Sequence, residues 1–211
     1  MRKTWTVLLA MLAACFCLVA GAAELKEGRD FRELNPPLAP DRAKIEVIEF
    51  FWYGCPHCFN LEPVLSPWVR KLPADVSFRR VPAVFPGNAK WALGARIYYT
   101  LEAMNLLDRL HAEVFTAYHV ERKRLDDEKV LLEWLATKGV DGKAYLAAAS
   151  SFGVQSRVRQ AVETSQRAGM NGVPAVVVDG RYQAITPESY NDLLVLVDRL
   201  IDRARADRGR K

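Results

Sequence analysis

The sequence predicts an α/β protein in which an all-helical segment interrupts a domain that contains a sheet. Residues 45–52 and 76–84 are rich in β-branched and aromatic side chains, as buried strands are. A third apolar strand follows Pro174. Between residues 88 and 150 the apolar side chains recur at helical spacing instead, in four successive helices without a strand. A block of helices between the strands of one domain indicates an insertion.

Length and composition agree with one domain that carries such an insertion. The chain has 211 residues, of which 50% are hydrophobic, so it is long enough to bury a substantial core. The formal net charge is only +5, and the charged residues are scattered. This distribution gives no reason to expect nucleic acid as a partner.

The first residues have the pattern of an export signal. Arg2 and Lys3 precede an uncharged apolar run that ends in small residues suited to a signal peptidase. We therefore expect residues 1–22, or one residue more, to be removed. Two alternatives stay open: the run could be a membrane helix, although it is short for one, and Leu-Ala-Ala-Cys ending at Cys15 is similar to a lipobox.

Removal of the signal leaves Cys55 and Cys58 as the only cysteines of the mature chain. They occur as Cys-Pro-His-Cys, in a compartment where disulfides persist. A structural bridge across so small a loop would remove little entropy from the unfolded chain, which favours a reactive pair. Half of a zinc site is the other interpretation, but the mature chain has no second cysteine pair to complete it.

Cys55 is predicted to lie at the N-terminus of a helix, because Gly54 ends the preceding strand and Pro56 suits the first helical turn. Unpaired backbone N–H groups and the helix dipole stabilise a thiolate there, and His57 adds a second donor or a positive charge. A lower pKa of Cys55 makes the disulfide a stronger oxidant. Cys58, one turn along and facing the protein, is the expected resolving thiol.

Two carboxylates are candidates for tuning the cysteine pair. Glu62 follows Cys58 by one helical turn, and Glu49 lies in the strand whose end approaches the same thiol. Either could accept a proton from Cys58, or could be an ordinary capped or solvated side chain. Pro63 falls within the same helix and predicts a kink there.

The remaining elements follow from turn and breaker residues. Residues 24–44 are polar and proline-rich, which predicts a surface lead-in with one edge strand. A long helix is expected over 151–168, and Asp179-Gly180 predicts a hairpin turn after the third strand. A closing helix is expected over 187–204. The arginine-rich end of the chain, residues 203–211, is interpreted as a frayed, solvated tail.

Strand, glycine turn, Cys-Pro-His-Cys and helix together resemble the active site of the thioredoxin superfamily, and specifically the DsbA-like proteins. Gly172-Val173-Pro174-Ala175, followed by a strand and Asp-Gly, matches the same family. The resemblance implies a thioredoxin fold formed by residues 23–86 and 164–211, with a helical insertion at 87–163. It also implies a cis Pro174 opposite the cysteines, with the backbone of Val173 open to pairing with an extended substrate.

The resemblance further implies a thiol-disulfide oxidase in the periplasm of a Gram-negative bacterium, which gives the Cys55–Cys58 disulfide to newly exported proteins with free thiols. No cofactor or metal beyond that disulfide is expected. A quinone-linked membrane oxidase of the DsbB kind would reoxidise the protein, which is expected to be a monomer. The alternatives are a disulfide isomerase or reductase, and a non-catalytic metal- or peptide-binding module that uses the two cysteines.

Overall fold

The computed structural model describes residues 24–85 and 87–209, which form one mixed sheet and seven helices. The predicted signal peptide lies outside the described residues. No helix in the described part has the length and apolar character needed to cross a membrane. The strands are β1 (Phe31–Glu33), β2 (Ile45–Phe51), β3 (Val76–Pro82), β4 (Ala175–Val178) and β5 (Tyr182–Ala184). The helices are α1 (Pro56–Val69), α2 (Ala89–Ala103), α3 (Leu107–His119), α4 (Glu128–Thr137), α5 (Gly142–Ala149), α6 (Phe152–Arg167) and α7 (Tyr190–Gly209).

Strand β2 lies inside the sheet, whose order is β1-β5-β4-β2-β3. It runs parallel to β3 and antiparallel to β4, and six of its seven residues are buried. This burial explains its near-continuous apolar sequence. Phe50, near the end of β2, pairs with Ala175, the first residue of β4. The segment that follows β2 and the segment that precedes β4 therefore lie next to each other, at the same end of these two strands.

The four predicted helices between residues 88 and 150 are confirmed as α2 to α5. Several of their aromatic side chains, Tyr98, Tyr99 and Phe115 among them, are buried. They share an apolar core with Phe50 and Phe51 on one face of the sheet. The other face packs against α7 and part of α1. The helical segment is thus joined to the strand that leads into the cysteine motif.

The predicted frayed tail is wrong for the residues that the structure describes, because α7 continues to Gly209. Arg208 donates hydrogen bonds to the carboxylate of Asp179, and Arg205 Nε donates to Asp75 Oδ2 at 2.7 Å. Asp75 and Asp179 lie 130 and 29 positions before their arginine partners. The charge pattern of the C-terminal segment alone therefore does not predict these ion pairs. Ion pairing with the body of the domain extends the helix beyond its last apolar residues.

Helix α1 runs as one helix to Val69, with Pro63 and Pro67 inside it. The predicted kink at Pro63 stays a prediction.

Candidate functional site

Cys55 is the N-cap residue of α1, and Pro56 occupies the first helical turn. The hydrogen bond from the Cys58 thiol is the largest influence on Cys55 and lowers its pKa. Burial acts in the opposite direction, while the backbone N–H groups of Cys58 and His57, and the charge of His57, lower it further. The resulting pKa is about 6. Cys55 is therefore largely a thiolate at neutral pH.

Cys58 has the opposite character one turn along the same helix. It is completely buried, whereas Cys55 keeps 7% of its surface exposed. Burial raises the pKa of Cys58, and the hydrogen bond and charge of Cys55 and the charge of Glu49 raise it further. Both thiols are free in the structure. Cys55 is thus the ionised sulfur that a partner can reach, and Cys58 is the protonated sulfur behind it.

The segment before β4 forms the other wall of the site. The peptide bond between Val173 and Pro174 is cis, as expected. Cys55 Sγ is 3.4 Å from the Val173 carbonyl oxygen, to which it can donate a hydrogen bond when it is protonated. A cleft of about 630 Å³ is lined by His57, residues 171–175, residues 183–188, Tyr190 and Arg32. Main-chain groups of a second polypeptide could therefore lie beside Cys55 in this cleft.

Glu49 and Glu62 meet on the inner side of the site at a shared guanidinium. Arg80 Nε donates to Glu49 Oε2 at 3.1 Å, and Arg80 Nη2 donates to both carboxylate oxygens of Glu62 at 2.8 and 3.0 Å. Glu49 is 1% exposed and Glu62 8%. Because a buried carboxylate is costly without a cation, Arg80 is what allows two of them to lie together.

The two carboxyl groups nevertheless have opposite acidities. Burial, together with the charge of Glu62, raises the pKa of Glu49 to about 7 against the effect of Arg80. Burial also acts to raise the pKa of Glu62, but His111, 3.6 Å away, and Arg80 outweigh it and lower this pKa to about 2. The charge of Cys55 raises the pKa of Glu49, and the charge of Glu49 raises the pKa of Cys58. Glu49 is thus the group suited to gain or lose a proton near neutral pH.

Several residues of the site were not found from the sequence. Arg80 lies opposite Glu49 in the alignment of β2 with β3. The only feature of the sequence that could have indicated its role is that it is a charged residue within a predicted strand. The Tyr53 hydroxyl lies 2.9 Å from Nδ1 of the buried His111, and His57 Nδ1 lies 3.1 Å from the Tyr190 hydroxyl. Each contact joins residues that are far apart in the sequence, so no local sequence pattern predicts it.

A Cys-x-x-Cys pair at a helix N-terminus, one thiol ionised and the other buried, facing a cis-proline loop, defines a thiol-disulfide oxidoreductase site on a thioredoxin fold. The chain belongs to the DSBA-like thioredoxin domain family, whose model matches residues 46–195. The family and the fold predicted from the sequence are confirmed.

The proteins and solved structures that are similar to this chain are named as DsbA proteins. The thiol:disulfide interchange protein DsbA of Pseudomonas aeruginosa is 39% identical over 207 residues, 95% of each chain. That of Bordetella parapertussis is 41% identical, over 96% of this chain and 98% of its own. The crystal structure of Pseudomonas aeruginosa DsbA matches with a TM-score of 0.83 and 37% identity, over 89% of this chain and 98% of that one. An oxidoreductase from Neisseria meningitidis matches with a TM-score of 0.79 and 30% identity, over 89% and 97%.

No group of three or more His, Cys, Asp or Glu side chains within residues 24–85 and 87–209 is arranged to hold a metal ion.

Proposed function

We propose that this protein is a thiol-disulfide oxidase that gives the Cys55–Cys58 disulfide to newly exported proteins with free thiols. The observation that carries the proposal is the opposite acidity of the two thiols, with the pKa of Cys55 lowered to about 6 and that of Cys58 raised. A stabilised thiolate favours the reduced protein, which makes the disulfide a stronger oxidant and Cys55 a good leaving group. The related DsbA proteins are named for the same interchange of thiols and disulfides.

In the first step, a thiolate of the client attacks Cys55 Sγ of the enzyme disulfide. The bond between Cys55 and Cys58 breaks, a mixed disulfide forms through Cys55, and the Cys58 sulfur leaves and takes up a proton. Because the pKa of Glu49 is about 7, a protonated Glu49 can supply that proton to the buried side of the pair. Glu62 would tune the site indirectly, by holding Arg80 against Glu49.

In the second step, another client thiolate attacks the client sulfur of the mixed disulfide. Cys55 leaves as a thiolate, which the N-terminus of α1 stabilises. The client has lost two electrons and gained a disulfide, and both enzyme cysteines are reduced. During these steps an extended client segment would pair with the backbone of Val173 in the cleft, which suits clients of differing sequence.

Turnover requires that the reduced cysteines be oxidised again. We propose a quinone-linked membrane oxidase of the DsbB kind as the acceptor of the electrons, and the periplasm as the compartment, with the enzyme acting as a monomer. No metal or organic cofactor is needed, since the disulfide itself accepts the electrons.

Mass spectrometry of the mature N-terminus tests the compartment. A processed chain beginning after Ala22 or Ala23 supports export, and a lipidated Cys15 supports membrane anchoring.

The oxidase proposal is tested by equilibrating the purified mature protein with reduced and oxidised glutathione. We expect the cysteine pair to stay largely reduced at glutathione ratios that leave an ordinary structural disulfide intact. A strongly reducing pair would contradict an oxidase and favour a reductase or isomerase. Stoichiometric zinc binding by the reduced protein, without any thiol exchange, would instead favour a binding module.

A further inference from the structure

The side chain of His57 is held by a residue from the other end of the chain. Its Nδ1 atom lies 3.1 Å from the hydroxyl oxygen of Tyr190, which is 133 positions away and begins α7. The contact is exposed to solvent, where an imidazole without a partner would turn freely. The first turn of α1, which carries the cysteines, is therefore connected to α7 by this side-chain hydrogen bond, and Asn60 of the next turn also has a side-chain hydrogen bond with Tyr190.

Tyr190 also lies within electrostatic reach of the reacting sulfurs. Burial raises the pKa of its hydroxyl, and the charges of Cys55 and Cys58 raise it further. The hydroxyl is thus kept protonated beside the thiolate. Tyr190 lines the same cleft as His57, Val173 and Pro174, so it borders the surface where a client would lie.

We propose that Tyr190 is a positioning residue that holds the imidazole of His57 beside Cys55 Sγ, an inference that rests on the proposed oxidase function. A phenol hydroxyl donates to Nδ1 of a neutral imidazole and accepts from Nδ1–H of an imidazolium, so the bond survives either protonation state of His57. In the imidazolium state the held ring keeps its positive charge close to the Cys55 thiolate. The reduced enzyme is stabilised, and its disulfide becomes more oxidising.

The ring of Tyr190 has a separate, purely structural role. It is partly buried against the apolar cluster that α7 forms with one face of the sheet. Replacement by phenylalanine keeps this packing and removes only the hydroxyl, so Tyr190→Phe separates the two roles. Tyr182→Phe is the matched control, since its hydroxyl bonds to Asp207 near the far end of α7.

The test compares Tyr190→Phe with the wild-type mature protein in two measurements, the thiolate absorbance of Cys55 against pH and the equilibrium with glutathione. We expect the Cys55 titration to move to higher pH and the pair to become roughly three- to tenfold less oxidising, as loss of one ordinary side-chain hydrogen bond would cause. Tyr182→Phe should leave both measurements unchanged. A Tyr190→Phe protein with wild-type titration and equilibrium overturns the proposal.

A double-mutant cycle with His57→Ala shows whether Tyr190 acts through His57. In the His57→Ala background, Tyr190→Phe should have no further effect on the glutathione equilibrium. A shift that persists there means that Tyr190 acts without His57, which overturns the positioning role. The oxidase proposal is tested separately by the glutathione equilibrium of the wild-type protein, and a strongly reducing wild-type pair contradicts it. The positioning role of Tyr190 depends only on differences between the variants and the wild type.

Discussion

The two sulfurs of the site are one helical turn apart, yet their surroundings are built in opposite ways. On the outer side, Cys55 accepts a hydrogen bond from the Cys58 thiol and is surrounded by backbone N–H groups and by His57, and together these lower its pKa to about 6. On the inner side, Cys58 is completely buried and lies within the field of Glu49, so its pKa is raised. The difference shows that position on α1, rather than residue type, gives one sulfur a low pKa and the other a high one.

A second contrast lies within the inner side. Glu49 and Glu62 share Arg80, but Glu62 accepts two of its hydrogen bonds and a third from the Ser66 hydroxyl, whereas Glu49 accepts one. Glu62 also lies 3.6 Å from His111, which with Arg80 lowers its pKa to about 2, so it is a fixed anion, whereas the pKa of Glu49 is about 7. One ion cluster thus contains a permanent charge and a group that can exchange a proton.

Exchanging each cysteine for serine tests the contrast between the two sulfurs most strongly. Cys58→Ser keeps the outer thiolate, so incubation with oxidised glutathione at pH 7 should attach one glutathione to Cys55. Cys55→Ser leaves only the buried, protonated thiol and should form no adduct above background, with loss of dithiol exchange. Mass spectrometry of both intact proteins measures this. An adduct on Cys58 at pH 7 would contradict the assignment of the sulfurs.

The inner ion cluster is tested by Arg80→Met, with its neighbour Arg79→Met as the control. Removing Arg80 leaves two buried carboxyl groups without their cation, which should lower the free energy of unfolding by about 3–5 kcal/mol. Arg79 pairs with Glu46, and its side chain is 40% exposed, so its removal should cost about 1 kcal/mol or less. Urea denaturation of the oxidised proteins gives both values. Equal losses would mean that the cluster contributes no more than a surface pair.

The parts of this site that the sequence predicted are those set by local chemistry. The continuous apolar run of β2, the turn at Gly54 and the proline at position 56 together predict that Cys55 begins a helix, and it does. The helical block was equally readable, because the apolar spacing of each helix is an intrinsic property of its own segment.

The parts that were not predicted depend on register and on distant partners. The contact between Glu49 and Arg80 requires the alignment of β2 with β3, which side-chain patterns alone do not specify. The last turns of α7 are held by Asp75 and Asp179, which precede them by 130 and 29 positions. A cis bond at Asn35–Pro36 was also not predicted, since the lead-in carried no motif.

The contrast between the two carboxyl groups predicts two separate pH dependences of stability, best measured on the oxidised protein, where neither sulfur titrates. The pKa of Glu49 is raised from 4.5 to about 7 in the folded state, so the free energy of unfolding should fall as pH rises through that window. The pKa of Glu62 is lowered to about 2, so its contribution is present above pH 4.5 and is lost as pH falls towards 2. Each effect is on the order of 3 kcal/mol.

Glutamine at each position separates these effects. Glu49→Gln should remove the loss of stability between pH 4.5 and 7 and keep the acid loss, while Glu62→Gln should do the reverse. Urea denaturation at closely spaced pH values measures both slopes. If Glu62→Gln were the variant that flattened the neutral range, the assignment of the fixed charge and the exchanging group would be inverted.

The smallest effect is expected where α3 supports the inner side. The Tyr53 hydroxyl bonds to Nδ1 of His111, which is 8% exposed and lies 3.6 Å from Glu62. Tyr53→Phe keeps the ring but leaves Nδ1 unpaired, so the free energy of unfolding should fall by roughly 1–2 kcal/mol. Tyr98→Phe is the control, since its ring packs against the same Phe51 but its hydroxyl makes no hydrogen bond within the described residues. The glutathione equilibrium of Tyr53→Phe should stay within about twofold of wild type, because the bond supports Glu62 and not Glu49. A larger change would show that the helical insertion tunes the sulfurs as well as stabilising the fold.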